Sequence, residues 1–383
     1  MSIKDLPDYN ILFFELVQVS LGTRSHLSHP PSDDEWKLLY DFCTKQAIVS
    51  FVLGGIEQLS TEGIKPPFAL LMAWISDSEQ IAAQNKLLNN EVKRITERFE
   101  NEGHQTAILK GQANARLYPN PLRRQSGDID IWVDGGRSKV IDIVRGWGLL
   151  DEVTEYAPKD SAITNDYHIH LPANENGIIV EVHYKPSSGN YNPFTDRRLQ
   201  KYLTNEIKNN SNYVDEGFYV PSIKFALVMQ LSHIQRHFFH EGVGMRQLID
   251  YFYLLKALSE QEKQEIEGIL KKVGLMYIAG AVMWVLESIL GMKSDYLIAP
   301  SDEKRGLMLL ANIMEGGNFG FYRPDAQKRL NVLGLISRQF DKFKLISFAP
   351  QEMTWKEIKF VMFFIKSLPE RIKRRSWSLR ALS

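Results

Sequence analysis

The chain has 383 residues, of which 44% are hydrophobic and 24% are charged, and this balance is ordinary for a folded globular protein. Lysine and arginine together number 46, as do aspartate and glutamate, so the formal net charge is zero and no overall field draws the chain onto nucleic acid or an anionic membrane. The single cysteine, Cys43, excludes a disulfide framework and fits a reducing cytosol.

The chain is expected to be cytoplasmic and to lack a membrane span. Its first residues, MSIKDLPDYN, do not show the charged-then-apolar pattern of a secretion signal. The longest apolar run, residues 275–286, is shorter than the ~20 residues that a membrane helix needs. A chain of this length exceeds one comfortable hydrophobic core, so two or three subdomains are expected.

The N-terminal part is predicted to be helical and to have a structural role. Apolar residues recur at helical spacing within residues 13–21, and Ser32 followed by three acidic residues is typical of a capped helix start. A long amphipathic helix is predicted from Pro66–Pro67 until Gly103, which ends it. This helix would connect an N-terminal helical bundle to the segment that follows.

The stretch 106–133 is predicted to contain two strands around a short helix and a loop. The first strand is Thr106–Leu109, and the helix occupies about residues 112–117. A loop broken by proline follows and leads into the second strand, Asp128–Val133. The chemistry of the chain is expected to lie here.

Two carboxylates, Asp128 and Asp130, are predicted to point to the same face of the second strand, because side chains alternate along a strand. Ile129 and Ile131 would point to the opposite face, into apolar packing. Carboxylates ~7 Å apart along a strand repel each other. A divalent cation would compensate for this repulsion, and Mg²⁺ is the usual partner of hard oxygen ligands.

The residues just upstream favour the binding of a phosphate chain. Gly111 opens the backbone at the start of the short helix, whose N-terminus offers free N–H groups. Lys110, Arg123 and Arg124 add positive charge. An acidic pair, a glycine turn and basic residues within one strand–helix–strand unit indicate metal-assisted phosphoryl chemistry.

Two more strands are predicted after the acidic strand. A helix at about 137–147 precedes them, and the strands Tyr167–Leu171 and Ile178–Tyr184 are joined by a polar turn. Alternation places Glu181 and His183 on one face of the second of these strands.

His168 and His170 would share a face of the neighbouring strand, beside Glu181 and His183. Three histidines and a carboxylate at this place have two interpretations. They form a zinc site, or they either face solvent or support the acidic site from behind. The sequence shows no further ligand spacing, which favours the second interpretation.

The C-terminal half is predicted to be a helical bundle. Residues 193–220 would form a small helix and an asparagine-rich connection. The tail 371–380 holds five basic residues and would contact RNA or membrane headgroups, or else be a solvated terminus, which is the commoner case. Helices are predicted at about 224–239, through 246–250, and at 260–273, 275–290, 301–314, 326–343 and 354–367.

Two groups of side chains in this half have a functional and a structural interpretation. His233, His237 and His240 recur on one face of a predicted helix, and Arg246 and Asp250 are one turn apart on the next. In the functional interpretation, His237 or Arg246 contacts phosphate or substrate above the metal site. In the structural one, Arg246 and Asp250 form an intrahelical ion pair, and the histidines lie in a seam between helices.

The run K-G-x-A-x-A-x-x-Y-P…R-x-x-G-D-I-D-I resembles the bacterial family of uncharacterised nucleotidyltransferases, within the superfamily that includes DNA polymerase β and the antibiotic nucleotidyltransferases. The spacing H-x(3)-H…R-x(3)-D is similar to the same family. The superfamily usually has serine after the turn glycine, where this chain has Gln112, so a hydroxyl contact to the terminal phosphates is missing. The residues that match are Lys110, Gly111, Ala113, Tyr118, Arg124, Gly127, Asp128 and Asp130.

The resemblance implies an α+β fold, in which a small mixed sheet of four or five strands is flanked by N-terminal and C-terminal helical bundles. Three parts are expected on this basis. Residues 1–103 would be an N-terminal helical region with the long connecting helix, 104–190 a nucleotidyltransferase-like core, and 191–383 a C-terminal helical bundle.

The resemblance also implies a third carboxylate on a later strand, and Glu181 is the candidate. It would complete the metal site or take the proton from an attacking hydroxyl. The implied metal is one or two Mg²⁺ ions, or Mn²⁺, held by Asp128, Asp130 and Glu181. The implied nucleotide-binding residues are Lys110, Gly111, Gln112, Arg124, His237 and Arg246.

The implied activity is transfer of a nucleoside monophosphate from a nucleoside triphosphate, such as ATP, to an acceptor hydroxyl or phosphate. The acceptor does not follow from the sequence, because this fold hosts many acceptors. Since Gln112 replaces the customary hydroxyl, the alternative is an inactive nucleotide- or partner-binding module. A nucleic-acid acceptor is a further alternative that the neutral net charge does not favour.

Overall fold

The computed structural model describes residues 8–150, 163–164, 167–318 and 345–374. The helix expected at 326–343 and the end of the basic tail lie outside the described residues. Within them, no helix combines the length and the apolar character needed to cross a membrane.

The N-terminal part is helical, as predicted. At Ser32 the side chain accepts a hydrogen bond from the backbone N–H of Glu35, and the Glu35 carboxylate accepts one from the backbone N–H of Ser32 at 2.8 Å. This capping box confirms the predicted helix start. The long connecting helix has 34 residues and is followed by Gly103, whose φ is +80°. The four helices are α1 (Asp8–Leu21), α2 (Asp33–Lys45), α3 (Val49–Ser60) and α4 (Phe68–Asn101).

A five-stranded mixed sheet follows α4, which confirms the expected α+β fold. Its strand order is β1-β2-β5-β4-β3. The pair β2–β5 is parallel, and the other neighbouring pairs are antiparallel. The strands are β1 (Thr106–Ile108), β2 (Ile129–Val133), β3 (Ile163–Thr164), β4 (His168–His170) and β5 (Val180–His183).

One face of this sheet is apolar and packs on helices. Ile129, Ile131 and Val182 are fully buried in a cluster with Phe99 of α4 and Val140 of α6. The alternation predicted for β2 is therefore confirmed, and Asp130 points to the opposite face. Helices α5 (Gln112–Ala115) and α6 (Gly136–Gly146) flank β2 in the chain.

The pairing register aligns the polar side chains of the other face. Asp130 lies opposite Glu181 in the parallel pair β2–β5. His170 lies opposite Glu181, and His168 opposite His183, in the antiparallel pair β4–β5. Residues from three strands therefore meet on one face of the sheet, although up to 53 positions separate them in the chain.

The prediction for residues 193–220 was wrong in part. Helix α7 (Pro193–Asn209) has 17 residues and is not small, and the segment after it is a hairpin of β6 (Asn212–Val214) and β7 (Phe218–Val220). The hairpin forms because a turn through Gly217, with φ +91°, joins two short segments that end or begin with aromatic and β-branched residues, which favour strands. The asparagines before β6 are typical of a loop, and they led to the prediction of a connection without strands.

The helices after the hairpin share one hydrophobic core with α1–α3, so the two helical parts pack together around the sheet. Gln46, which follows α2, links the two helical parts by hydrogen bonds. Its side chain donates to the carbonyl of Ile313 and accepts from the N–H of Met245, each at 2.8 Å. The predicted helix after residue 275 ends in a π turn at Val285–Ile289. These helices are α8 (Ile223–Phe239), α9 (Met245–Lys256), α10 (Glu260–Val273), α11 (Met276–Trp284), α12 (Glu303–Gly316) and α13 (Pro350–Arg374).

Candidate functional site

Three carboxylates converge where β2 and β5 lie side by side. Asp128, Asp130 and Glu181 each offer an oxygen atom, and these atoms all lie within 4.8 Å of one another. The Asp130 side chain is 2% exposed, that of Glu181 15% and that of Asp128 42%. The predicted cluster therefore exists as a group that opens to solvent on the Asp128 side.

Lys110, at the end of β1, neutralises part of this negative charge. Its Nζ atom lies 2.8 Å from Oδ2 of Asp130 and 3.9 Å from Oδ1 of Asp128. Burial alone would lower the pKa of Lys110, but the two aspartates raise it above its usual range. Burial would likewise raise the pKa of Asp130, but Lys110 and His183 hold it well below its ordinary value. Asp130 is therefore ionised at neutral pH.

Three histidines surround the carboxylate of Glu181. Nε2 of His183 lies 3.1 Å from Asp130 and 3.4 Å from Glu181. Nδ1 of His168 and Nδ1 of His170 lie 3.3 and 3.4 Å from the Glu181 oxygens. Burial, with His183 and His170 close by, lowers the pKa of His168 to about 3. His168 is thus neutral and supports Glu181 without adding charge.

The three carboxylates fit a hard divalent cation better than a soft one. They offer only oxygen ligands, which Mg²⁺ and Mn²⁺ prefer. Carboxylates this close together repel one another, and a bound cation would offset that repulsion. A second group, His168, Glu181 and His183, also has ligand atoms within 4.8 Å of one another and shares Glu181 with the first. The zinc interpretation and the supporting role beside Glu181 therefore both have a geometric counterpart. The expectation that the histidines face solvent was wrong for His168 and His183, which are 6% and 7% exposed because they pack among the side chains of the neighbouring strands.

Arg124 and Asp250 form a buried ion pair between α9 and residues 124–128, the loop that leads into β2 and carries Asp128, which we call the acidic loop. The guanidinium donates two hydrogen bonds to the carboxylate, at 2.7 and 2.6 Å, and the side chains are 6% and 5% exposed. The same carboxylate accepts hydrogen bonds from Tyr118 at 2.7 Å and from Asn114 at 3.3 Å. In place of the intrahelical pair considered above, Asp250 thus holds a residue 126 positions away in the chain.

Arg246 lies on the same helix and also reaches the acidic loop. It donates a hydrogen bond from Nη1 to the carbonyl of Gln125 at 2.6 Å. Burial, with Arg124 nearby, lowers the pKa of Arg246. Two guanidinium groups therefore lie close together, and an anion in the adjacent cleft would offset their repulsion.

A small cleft connects the basic and the acidic groups. It is lined by the carboxylates of Asp128 and Asp130 and by the cationic side chains of Lys110, Arg124 and Arg246. Such a cleft suits a metal-bound phosphate chain, which presents both positive and negative charge. It is lined by Lys110, Gly111, Arg124, Gly127, Asp128, Asp130, Gln230, His233, Ile234, Arg246, Gln247 and Asp250.

The remaining candidate residues lie around this cleft with different exposure. Gly111 has φ +63°, a conformation that glycine adopts readily, and it lets the chain turn from β1 into α5. Gln112 is only 3% exposed, and within the described part of the chain its amide has no hydrogen-bond partner. Arg123 is turned away from the cleft and pairs with Glu57 of α3 at 2.7 Å.

The sequence analysis assigned no role to four residues that line the cleft, and His233 is the one of them that can exchange a proton; the others are Gln230, Ile234 and Gln247. His233 lines the cleft, whereas His237, one turn later, lies behind it with its Nε2 atom 3.0 Å from Nε2 of His233. His240 does not share their face, because the helix has ended there and its φ is −124°. The four-residue spacing of His233 and His237 was visible in the sequence, but it does not indicate which of the two faces the cleft.

Comparisons with known proteins agree with this description. Residues 32–291 match the family model described as "Uncharacterised nucleotidyltransferase", which is more than half of the chain. No curated protein matches the chain.

Two solved structures show weak similarity. An antigenic nucleotidyltransferase-like protein from Paracoccidioides brasiliensis has 13% identity and a TM-score of 0.31, with 57% of this chain and 95% of that chain covered. The polymerase core of TRAMP, an RNA surveillance complex, has 13% identity and a TM-score of 0.25, with 75% of this chain and 70% of that chain covered. TM-scores at this level carry no functional information.

Proposed function

This chain belongs to the family of uncharacterised nucleotidyltransferases, and we propose that it transfers a nucleoside monophosphate from a nucleoside triphosphate to an acceptor hydroxyl or phosphate. ATP is the expected donor. The observation that carries the proposal is the convergence of Asp128, Asp130 and Glu181 beside a cleft lined by three cationic side chains.

The acidic side of the cleft would hold the metal. Asp128, Asp130 and Glu181 are the proposed ligands of one or two Mg²⁺ ions, with Mn²⁺ as the alternative, and such ions neutralise charge on the phosphates and on the leaving pyrophosphate. The ionised state of Asp130 at neutral pH supports this assignment. Lys110 keeps the carboxylates in place through its contacts with two of them.

The basic side would hold the triphosphate. Lys110 and Arg246 line the cleft and would donate hydrogen bonds to phosphate oxygens. Arg124 is already held by Asp250 on two sides, so its proposed role is to fix the loop that carries Asp128. Gln112 and His237 remain proposed nucleotide-binding residues from the sequence, and neither lines the cleft among the residues described there.

The protein would contribute mainly position and charge to this reaction. Phosphoryl-type transfers need little covalent chemistry from the enzyme, so aligned reactants and fixed charges supply most of the rate. The sheet and the Arg124–Asp250 pair make the acidic loop rigid, which suits this requirement.

A catalytically inactive nucleotide- or partner-binding module is the second candidate. It is favoured by Gln112, which replaces the usual hydroxyl and is buried. Calorimetry with ATP, with and without Mg²⁺, separates nucleotide binding from its absence. Metal-dependent affinity without product formation would favour a nucleotide-binding module, and no affinity would favour a partner-binding one.

The test of the proposal is a product screen. The protein is incubated with each nucleoside triphosphate labelled at the α-phosphate, with Mg²⁺ or Mn²⁺, and with pools of metabolites, proteins and tRNA. We expect label transfer to one pool, and none with the Asp128→Asn variant. Equal transfer by this variant would refute the assignment of the site. Labelling of the tRNA pool would identify the acceptor as nucleic acid.

A further inference from the structure

Three side chains connect the cleft with the protein surface at the end of α8. His233 lines the cleft, and its Nε2 atom lies 3.0 Å from Nε2 of His237. Nδ1 of His237 lies 2.7 Å from a carboxylate oxygen of Glu241. The side chains of His237 and Glu241 are 15% and 61% exposed, so the line begins at the cleft and ends in solvent. We call these three residues the histidine relay.

The order of contacts determines where the protons lie. The short contact with His237 lowers the pKa of Glu241, so this carboxylate is ionised at neutral pH and draws a proton onto the facing nitrogen. Nδ1 of His237 is therefore protonated. In the singly protonated form of His237, with that proton on Nδ1, Nε2 of His237 accepts and Nε2 of His233 donates. The nitrogen of His233 that remains, Nδ1, then has a free lone pair.

The surroundings keep His233 neutral. Burial, followed by the proximity of His237 and Lys110, lowers the pKa of His233 well below its usual value. Among the described residues, the ring of His233 is hydrogen-bonded through Nε2 and makes no hydrogen bond through Nδ1. The lone pair is therefore left for a group that enters the cleft.

Glu181, the other candidate base, is less free to take a proton. Nitrogen atoms of His168, His170 and His183 lie 3.3, 3.4 and 3.4 Å from its oxygens. Each oxygen that faces an imidazole or a metal ion is less available to an acceptor hydroxyl. Among the described cleft residues, His233 is the histidine and offers a neutral nitrogen base.

We propose that His233 takes the proton of the acceptor hydroxyl, and that His237 and Glu241 position His233 and conduct the proton to solvent. This inference rests on the proposed function of the cleft. It assigns the acceptor side of the reaction to α8, whose residues Gln230, His233 and Ile234 line the cleft together with Asp128 and Asp130.

The proposed step balances as follows. The O–H bond of the acceptor breaks, its proton bonds to Nδ1 of His233, and the acceptor oxygen bonds to the α-phosphorus. The bond from the α-phosphorus to the bridging oxygen breaks, and pyrophosphate leaves with the electron pair. His233 then passes its Nε2 proton to Nε2 of His237, which releases its Nδ1 proton through Glu241 to water. After the products leave, His233 loses its Nδ1 proton to water in the open cleft, and a proton from solvent returns through Glu241 and His237, so that both imidazoles regain their starting tautomers.

The first test needs no turnover. The full chain is labelled with ¹⁵N-histidine, and two-bond ¹H–¹⁵N spectra are recorded at neutral pH without nucleotide or metal. The nine histidines are distinguished with the His233→Gln and His237→Gln variants. We expect His233 protonated at Nε2 only and His237 protonated at Nδ1 only. A proton on Nδ1 of His233, or on Nε2 of His237, would overturn the relay.

The second test measures pyrophosphate release from Mg²⁺–ATP with water as the acceptor. His233→Gln should lower kcat by about 100-fold with little change in KM, which is the size expected for loss of a general base. Imidazole in the buffer should restore part of the activity of His233→Ala, an effect that a purely structural role would not produce. His240→Gln, a histidine on the next turn outside the relay, is the matched control and should behave like the wild type.

The outcomes separate this inference from the proposed function. Full kcat in His233→Gln, or a loss that imidazole does not rescue, would refute the role of His233. No turnover and no Mg²⁺–ATP binding in the wild type would refute the proposed function of the cleft, and with it the catalytic role of His233, while the histidine spectra would still decide the proton positions.

Discussion

Removing the carboxylate of Asp250 should destabilise the protein strongly, because Asp250 is the shared acceptor of a buried polar network. The side chains of Arg124 and Asp250 are only 6% and 5% exposed, and Tyr118 also donates a hydrogen bond to the Asp250 carboxylate. In Asp250→Ala the guanidinium of Arg124 would stay buried without a counter-charge, next to Arg246. Loss of one partner of such a pair costs about 3–5 kcal/mol. We expect a fall of this size in the free energy of unfolding, measured by urea denaturation.

Two further variants make this prediction specific. Asp142→Ala breaks an exposed i,i+3 pair with Arg145, and exposed pairs contribute about 1 kcal/mol or less, so it is the matched control. Arg124→Met in the Asp250→Ala background should recover part of the lost stability, because no unpaired charge remains buried. A loss in Asp250→Ala no larger than in the control would refute the interpretation of this network.

Three other outcomes are expected. Burial would raise the pKa of Asp250, but the Arg124 guanidinium and hydrogen bonds lower it. The stability that ionised Asp250 contributes is therefore complete at neutral pH and is lost as the pH falls below the usual aspartate range. The free energy of unfolding should accordingly depend less on acid pH in Asp250→Asn than in the wild type. Lys110→Met removes the ion pair with Asp130 and the proposed phosphate contact, and should lower Mg²⁺–ATP turnover by about 100-fold, measured as pyrophosphate release. Turnover within about threefold of wild type would contradict the proposed role of Lys110. Ser32→Ala removes the α2 cap and should cost about 1 kcal/mol of unfolding free energy by urea denaturation, with turnover unchanged.

The sequence predicted helices and strands correctly where their bounds depend on residues close together in the chain. The capping box at Ser32 and the end of α4 at Gly103 depend on neighbouring residues only, and both were found at the predicted places. The alternation in β2 separated Asp130 from Ile129 and Ile131, because strand geometry has a period of two residues. The hairpin after α7 was missed because its strands have three residues each and its turn does not use a common two-residue signal.

Long-range pairing could not be derived from local patterns. Glu181 was expected near the aspartates through a family resemblance, and the parallel register that sets it opposite Asp130 is a property of the folded sheet. The choice of Arg124 over Arg246 as the partner of Asp250 depends on how α9 packs against the acidic loop. The position of His233 at the cleft depends in the same way on the rotation of α8.

The central claim is that the β2–β5 carboxylates hold a catalytic metal, and one measurement tests it most directly. Pyrophosphate release from ATP is followed as a function of Mg²⁺ concentration for the wild type, Asp130→Asn and Asp134→Asn. Asp134 follows the same strand and pairs with Lys208 outside the cleft, so it is the matched acidic control. We predict Mg²⁺-dependent release in the wild type and Asp134→Asn, and none in Asp130→Asn, with circular dichroism unchanged in all three. Equal release by Asp130→Asn would contradict the claim.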